Sequence, residues 1–268
     1  MTAQGITTAA SQQPDRHAAR ASAAPAIRID GLSKRFGADG PLVLEDVSVR
    51  IEPGEFVCLL GASGCGKSTL LNIIAGLELP SSGTVTVASG NAAVMFQDAA
   101  LFPWLTAGRN IELALKLRGV PREKRRGQAL ELLDVVNLAD AARKRPHELS
   151  GGMRQRVALA RSLAQDRKVL LMDEPFAALD AITRDLLHEE LERVWRETGR
   201  TIVFVTHNVR EAARLGQRVL LMSSRPGRIA NEWRLADDGP RRIESPEVSR
   251  LSIEITEQLR REIRRNAA

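Results

Sequence analysis

No apolar run in this 268-residue sequence approaches the roughly 18 residues needed to cross a bilayer, and the N-terminus lacks the apolar core of a secretory signal. A cytoplasmic chain is the expectation. Cysteine is scarce: Cys58 and Cys65 are the only two. That excludes a disulfide framework and a four-ligand zinc site, and leaves reduced thiols. Charge is unevenly signed, with 39 Lys and Arg against 33 Asp and Glu, a net +6. Such an excess suits nucleic acid or an anionic membrane surface, but "REKRR" (122–126) and "RREIRR" (260–265) read most simply as solvated helix faces. What remains is ordinary for a globular protein, 43% hydrophobic and 27% charged, with enough length for one large domain or two modest ones.

Residues 1–25 are small, polar and aperiodic, with too little apolar surface to offset the entropy of ordering, so a disordered tail is expected there. Its Arg- and Ser-rich, acid-poor composition also has the character of an organelle transit peptide. From Ile27 onward short apolar segments such as "LVLEDVSVRI" and "EFVCLL" read as strands, separated by the turn "IEPGE" (51–55). Residues 106–165 read as mainly helical, with Leu130, Leu133 and Val136 near one face. "VLLM" (169–172), "IVFV" (202–205) and "VLLM" (219–222) are fully apolar runs of the kind buried on both faces. A helix carrying Leu187, Leu191, Val194 and Trp195 between the first two implies a βαβ crossover and a largely parallel sheet. Ser245 and Pro246 open a terminal helix whose stripe is Val248, Leu251, Ile255, Leu259 and Ile263.

"GASGCGKS" fits the phosphate-loop pattern GxxxxGK[ST] at Gly61, Gly66, Lys67 and Ser68, between the strand "FVCLL" and the helical pattern Leu70, Ile73, Ile74, Leu77. Glycines let the backbone close on a phosphate chain, the helix start adds positive dipole, Lys67 can reach the β and γ phosphates, and Ser68 can ligate magnesium. Cys65 beside Lys67 and a helix N-terminus is expected to be the more reactive thiol, modified first and protected by MgATP, with Cys58 buried in its strand. "VLLMDEP" ends a strand with two carboxylates: Asp173 can hold magnesium and Glu174 can face an attacking water. "LSGGMRQR" (149–156) makes a second helix N-terminus, with Ser150, Gly151 and Gly152, able to accept an anion. Two cradles for one ATP suggest a dimer in which this loop closes over the partner's nucleotide.

With these elements in this order, the chain from about Ile27 to Leu235 resembles the ATP-binding subunits of ABC transporters. The resemblance implies an α/β fold of the P-loop NTPase type: a mainly parallel sheet core, an N-terminal β subdomain and a helical subdomain at about 98–165. It divides the chain into a tail (1–25), an ABC ATPase domain (26–240) and a C-terminal helix (241–268). It implies ATP and Mg2+ as cofactors, with nucleotide binding over Gly61, Ala62, Ser63, Gly64, Cys65, Gly66, Lys67, Ser68 and Thr69. Phe36 resembles the aromatic that stacks on adenine, where many relatives have tyrosine. Gln97 resembles the residue that touches magnesium and water, His207 the histidine at the γ phosphate, and Asp180 the anchor of the segment joining the two sites. Lys67, Gln97, Glu174 and His207 are the implied catalytic set; Ser68, Gln97 and Asp173 are the implied metal ligands. "LFPWLTAGRNI" (101–111) is similar to importer ATPases for nitrate, sulfonates and taurine, with Phe102 and Trp104 as candidates to receive a permease helix. The implied partners are a second copy, permease subunits and, indirectly, a solute-binding protein, at the cytoplasmic face of the cell membrane, with no nucleic acid. The alternative is a soluble ABC-type ATPase acting on nucleic acid or ribosomes, which the positive charge favours but the single ATPase unit and lack of zinc modules do not.

Overall fold

The computed structural model describes residues 24–267 apart from 38, 236–238 and 240. The expected tail therefore lies almost wholly outside the described residues. Strands β1 (Ile27–Arg35), β2 (Leu42–Ile51) and β4 (Ser82–Val87) form an antiparallel sheet in the order β2-β1-β4. The main sheet has the order β5-β6-β7-β3-β8-β9, built from β3 (Phe56–Gly61), β5 (Ala93–Met95), β6 (Val169–Asp173), β7 (Thr201–Thr206), β8 (Arg218–Met222) and β9 (Ile229–Arg234). Its neighbours are parallel except β8 and β9, which are antiparallel.

The apolar runs predicted to be buried on both faces are so, and alternation assigns each face. In β3, Phe56, Cys58 and Leu60 enter one core while Val57 and Leu59 enter the other. Leu170 and Met172 follow the first face in β6, Ile202 and Phe204 in β7. Each fully buried side chain of this size contributes about 1.5–3 kcal/mol. The second core is closed by the antiparallel sheet and by α1 (Lys67–Ile74). The first is closed by α2 (Ala107–Leu117), α3 (Arg122–Val135), α4 (Gly151–Ala164), α5 (Ala181–Thr198) and α6 (Val209–Leu215), with the terminal α7 (Pro246–Ala267) beside α6.

Helix ends follow their local chemistry. Asp180 accepts from Thr183 N at 3.0 Å to start α5, which stops at Gly199 in the left-handed region at φ 60. Its buried face is Leu187, Leu191, Val194 and Trp195, and the Trp195 indole donates to Gly54 O at 3.0 Å, fixing α5 to the turn before β3. Three expected apolar positions are not buried. Leu77 is 61% exposed because α1 ends at Ile74 and the chain turns at Gly76. Leu130 is 39% exposed; Ala129 takes its place beside Leu133 and Val136. Ile263 is also exposed, beyond the part of α7 where Val248 and Ile255 are buried. Among the described residues, no helix is long and apolar enough to cross a membrane.

Candidate nucleotide site

Parallel register sets the site. Leu60 pairs with Thr206, Gly61 with Met222, and Asp173 with Val205. The residues following these strands, the glycine loop, Glu174 and His207, therefore emerge on one carboxyl-end edge, where open α/β sheets take ligands.

The loop between β3 and α1 needs its glycines. Gly66 has φ 101, and a Cβ there would stand 2.7 Å from Leu44 Cδ2 and 3.3 Å from Val43 O. Gly66 is also the N-cap of α1 and offers no side-chain cap, so the first-turn amides can bind an anion. Ser63, Gly64 and Ser68 are exposed, while Ala62 and Thr69 are half-buried. The Lys67 side chain is buried; its Nζ donates to Gly61 O at 3.0 Å and Ala62 O at 3.1 Å, and lies 3.9 Å from Glu174 Oε1. A lysine doubled back over the loop in this way is placed to meet a phosphate cradled there.

Asp173 and Glu174 differ in surroundings. Burial pushes the Asp173 carboxyl above the ordinary aspartate range, as does the neighbouring Glu174 charge, while a hydrogen bond with Ser68 and the Lys67 charge oppose them. A partly buried carboxylate joined to a hydroxyl is a hard-oxygen pair that suits Mg2+, which needs few protein ligands because phosphate oxygens and waters complete its shell. Among the described residues there is no cluster of three or more His, Cys, Asp or Glu able to hold a metal ion. Glu174 has φ 44, a left-handed conformation that costs a non-glycine residue about 1–3 kcal/mol. Its amide still donates to Val205 O at 3.0 Å, and its Oε2 is 2.9 Å from Nδ1 of the exposed His207. Asn208 caps α6 by accepting from Arg210 N and Glu211 N. The Glu211 carboxylate does not reach back to Asn208, as a reciprocal capping box requires; it accepts from Thr206 Oγ1 at 2.5 Å, and Thr206 Oγ1 accepts from Asn208 N at 2.9 Å.

Ser150 caps α4, accepting from Met153 N at 3.2 Å. A Cβ on Gly152 would lie 2.5 Å from Thr183 Cγ2, so α5 packs against bare backbone, and one on Gly151 would meet Leu179 at 3.4 Å. Gln97 is exposed, and its carbonyl is held by Gln155 Nε2 at 2.7 Å while Arg161 donates to Ala99 O and Ala100 O. Phe36 is 49% exposed, with Lys34 Nζ 4.7 Å from its ring centre. Trp104 is 68% exposed and packs on Phe102, with ring centroids 5.5 Å apart.

Residues 44–177 match the family described as ABC transporter. The chain is 48% identical over 215 residues to the nitrate import ATP-binding protein NrtD of a Synechocystis strain, covering 77% of this chain and 81% of that one. The chain belongs to the ABC transporter family. Identity is 45% over 219 residues to the taurine import ATP-binding protein TauB of Roseobacter denitrificans, covering 78% and 82%. Among solved structures, the ATP-binding cassette MJ0796, in a dimeric post-hydrolysis state bound to ADP and Pi, superposes with TM-score 0.68 at 34% identity, covering 78% of this chain and 99% of that one. This ABC protein is thus an α/β ATPase cassette that binds nucleotide.

One expectation about the cassette fails. Cys65 is 1% exposed, and burial pushes its thiol up against the opposing pull of the Lys67 charge. Its Sγ fills the space beneath the loop, where a Cβ on Gly61 would meet it at 2.7 Å. Cys58 is likewise buried and raised. Neither thiol is the exposed, electropositive kind that alkylates readily. Desolvation beneath the loop outweighs the opposing charge of Lys67.

Other parts of the site were invisible in the motifs. The turn at Gly227 backs the loop: a Cβ there would stand 2.2 Å from Cys65 O, and Gly227 exchanges backbone hydrogen bonds with Val43 and Glu45. Next to it, the Arg225 guanidinium comes within 3.8 Å of where a Gly64 Cβ would be, adding positive charge at the loop's mouth. Glycine and arginine in "SSRPG" signal a turn but not where it docks.

Proposed function

We propose that this ABC ATPase is the energy-coupling subunit of an importer for a small anion such as nitrate, a sulfonate or taurine. The observation that carries it is the convergence, on one sheet edge, of the loop with Lys67, the Asp173–Glu174 strand end and His207, in a chain whose relatives include nitrate and taurine import subunits. In this reading the ATPase domain spans 26–240, with its helical subdomain at about 98–165. The domain works as a dimer at the cytoplasmic face of the membrane, bound to permease subunits and, through them, to a solute-binding protein.

ATP binds along residues 61–69 with adenine against Phe36. Ser68, Asp173 and Gln97 would hold Mg2+, which would supply positive charge against the phosphate oxygens. Glu174 takes a proton from water as the water oxygen bonds the γ phosphorus, the bond to the β-phosphate oxygen breaks, and ADP and phosphate result. Lys67 and His207 face the oxygens on which charge collects, and Ser150, Gly151 and Gly152 of the second copy supply an N-terminal helix dipole to the same phosphate. Phe102, on which Trp104 packs, lines a cavity of about 430 Å3 that mixes Phe96, Leu113 and Leu117 with Arg118, Arg161 and Arg167; a groove with apolar and cationic walls receives a short amphipathic helix of the permease.

Mixing Ser150→Arg with Lys67→Ala subunits tests the arrangement. The heterodimer retains one site free of both substitutions, so activity recovers on mixing; formed heterodimers as inactive as either parent would exclude sites completed across the interface. With permease and binding protein reconstituted, nitrate, taurine or a sulfonate should stimulate ATP hydrolysis, and failure of all three would reject the anion assignment.

A further inference from the structure

The turn bearing His207 and the strand end bearing Glu174 come from different segments, and their contact must be held by something behind it. Behind it lies a polar network that the nucleotide-site residues do not use. His188, on α5, is 1% exposed. Its ring meets Phe176 edge-on with centroids 5.6 Å apart, and Phe176 is two residues after Glu174. On its other side Nε2 faces Glu211 Oε1 at 3.4 Å, within ion-pair distance but outside hydrogen-bond geometry, and among the described residues it has no nearer polar partner. Glu211 is the carboxylate that holds Thr206 Oγ1, which in turn holds the Asn208 amide, so the two residues flanking His207 are both fixed through it.

The same Glu211 oxygen stands 3.6 Å from Arg184 Nε, and Arg184 Nη2 donates at 2.6 Å to Leu179 O, beside Asp180. Nδ1 of His188 faces Asp185 at 3.7 Å and Arg214 at 3.5 Å, and Arg214 also contacts Asp185 at 3.4 Å. Burial alone would push the Glu211 carboxyl up, but the His188 and Thr206 contacts and the Arg184 charge outweigh it and hold it below the ordinary glutamate range. Glu211 is thus an anion kept inside the protein by these neighbours. Breaking one member of such a buried group is costly because the rest are left uncompensated.

We propose that His188 is a positioning residue for ATP hydrolysis, holding the Glu174 and His207 segments in register from behind and tying both to the segment before α5. The proposal rests on Glu174 and His207 acting on the γ phosphate. His188 touches neither nucleotide nor the attacking water; it acts through Phe176 on one side and through Glu211 and Thr206 on the other. Because α5 also packs on the bare Gly152 backbone, the helix carrying His188 also meets the Ser150–Gly152 start of α4 in its own chain.

The test uses the purified full chain, MgATP, phosphate release for kcat and KM, and direct binding of a fluorescent ATP analogue. His188→Leu should lower kcat roughly 10- to 100-fold, the scale of a displacement of about 1 Å in catalytic geometry, with nucleotide affinity unchanged. His188→Gln, which keeps a donor for Glu211, should recover most of that loss. Thr206→Val, close in shape but unable to link Glu211 to Asn208, should slow kcat similarly, and the double variant His188→Leu/Thr206→Val should be no slower than the worse single one. Parental kcat in His188→Leu, or no recovery in His188→Gln with kcat and affinity falling together, overturns the proposal. Should the leucine variant not fold, Thr206→Val decides alone, and parental kcat there is equally fatal. Glu174→Gln runs in parallel: if it turns over at the parental rate, the assignment of the site itself has failed, whatever His188 shows.

Discussion

Replacing Glu174 by glutamine removes one charge and one proton acceptor while keeping the side chain's length. The carboxylate has two neighbours, His207 Nδ1 at 2.9 Å and Lys67 Nζ at 3.9 Å. Two unit charges 3.9 Å apart attract by at most about 4 kcal/mol at an effective dielectric near 20, and by less where solvent reaches the pair. That attraction holds Lys67 toward Glu174, so losing it frees the ammonium for phosphate; affinity for ATP should stay level or tighten. Turnover should move the other way. Loss of a general base costs roughly 10²- to 10⁴-fold, or about 2.7–5.4 kcal/mol of barrier at 1.36 kcal/mol per decade. Phosphate release measured beside equilibrium ATP binding separates the two effects, and size-exclusion chromatography should show ATP-bound dimers accumulating. Turnover within about threefold of the parent would remove Glu174 as proton acceptor. Weakened ATP binding would refute the argument from the Lys67 pair.

Gly66→Ala forces a Cβ into the left-handed region at φ 101 and against Leu44 Cδ2, and should cost about 2–4 kcal/mol in urea unfolding together with nucleotide binding. Both cysteines should resist maleimide in the native protein and react once it is unfolded; rapid native labelling of Cys65, with loss of activity prevented by MgATP, would reverse the conclusion drawn from its burial. Glu211→Gln should destabilise by about 3 kcal/mol near neutral pH, since the Arg184 guanidinium loses its buried counter-charge. Because the folded carboxyl titrates below its ordinary value of 4.5, its stabilisation is complete above that value and is lost as pH falls through the folded pKa. The gap between parent and variant should therefore close in acid, and a gap that widened there would contradict the assignment.

Elements whose physics is local were legible before any coordinates. The glycine loop declares itself because Gly66 must adopt φ 101, and the strands do so because β3, β6 and β7 bury both faces and leave apolar runs without polar interruption. The start of α7 likewise needs only local residues: Ser245 accepts from Val248 N at 3.3 Å, and Pro246 takes the first helical position. What escaped was everything decided by a distant neighbour. Leu130 loses its place in the core to Ala129, a choice made by packing around α3 that the spacing alone does not fix. Gly227 and Arg225 reach the loop through a turn whose docking depends on the β8–β9 register. His188 reads as one more polar residue on a helix until Phe176 and Glu211 are seen on either side of it.

Three of the site's features are unfavourable taken singly, and they share one direction. Asp173 carries its carboxylate where burial resists the charge, Glu174 holds a backbone conformation that an L-residue seldom adopts, and α1 begins without a side-chain cap. A cation beside Asp173 favours its ionised form, and phosphate oxygens satisfy first-turn amides and the Lys67 ammonium together. Only the backbone strain at Glu174 gains nothing directly, and it is the feature whose product is geometric: it turns the carboxylate toward His207 instead of continuing β6. In the proposed reading, polyphosphate and metal would relieve electrostatic costs that the fold imposes on itself, while the strained residue sets where the Glu174 carboxylate stands. Stability and nucleotide affinity are therefore linked at this edge: MgATP should raise the unfolding free energy by RT ln(1 + [L]/Kd), about 2.7 kcal/mol at a hundredfold excess over Kd, with Asp173→Asn more stable than the parent without ligand and less responsive to MgATP.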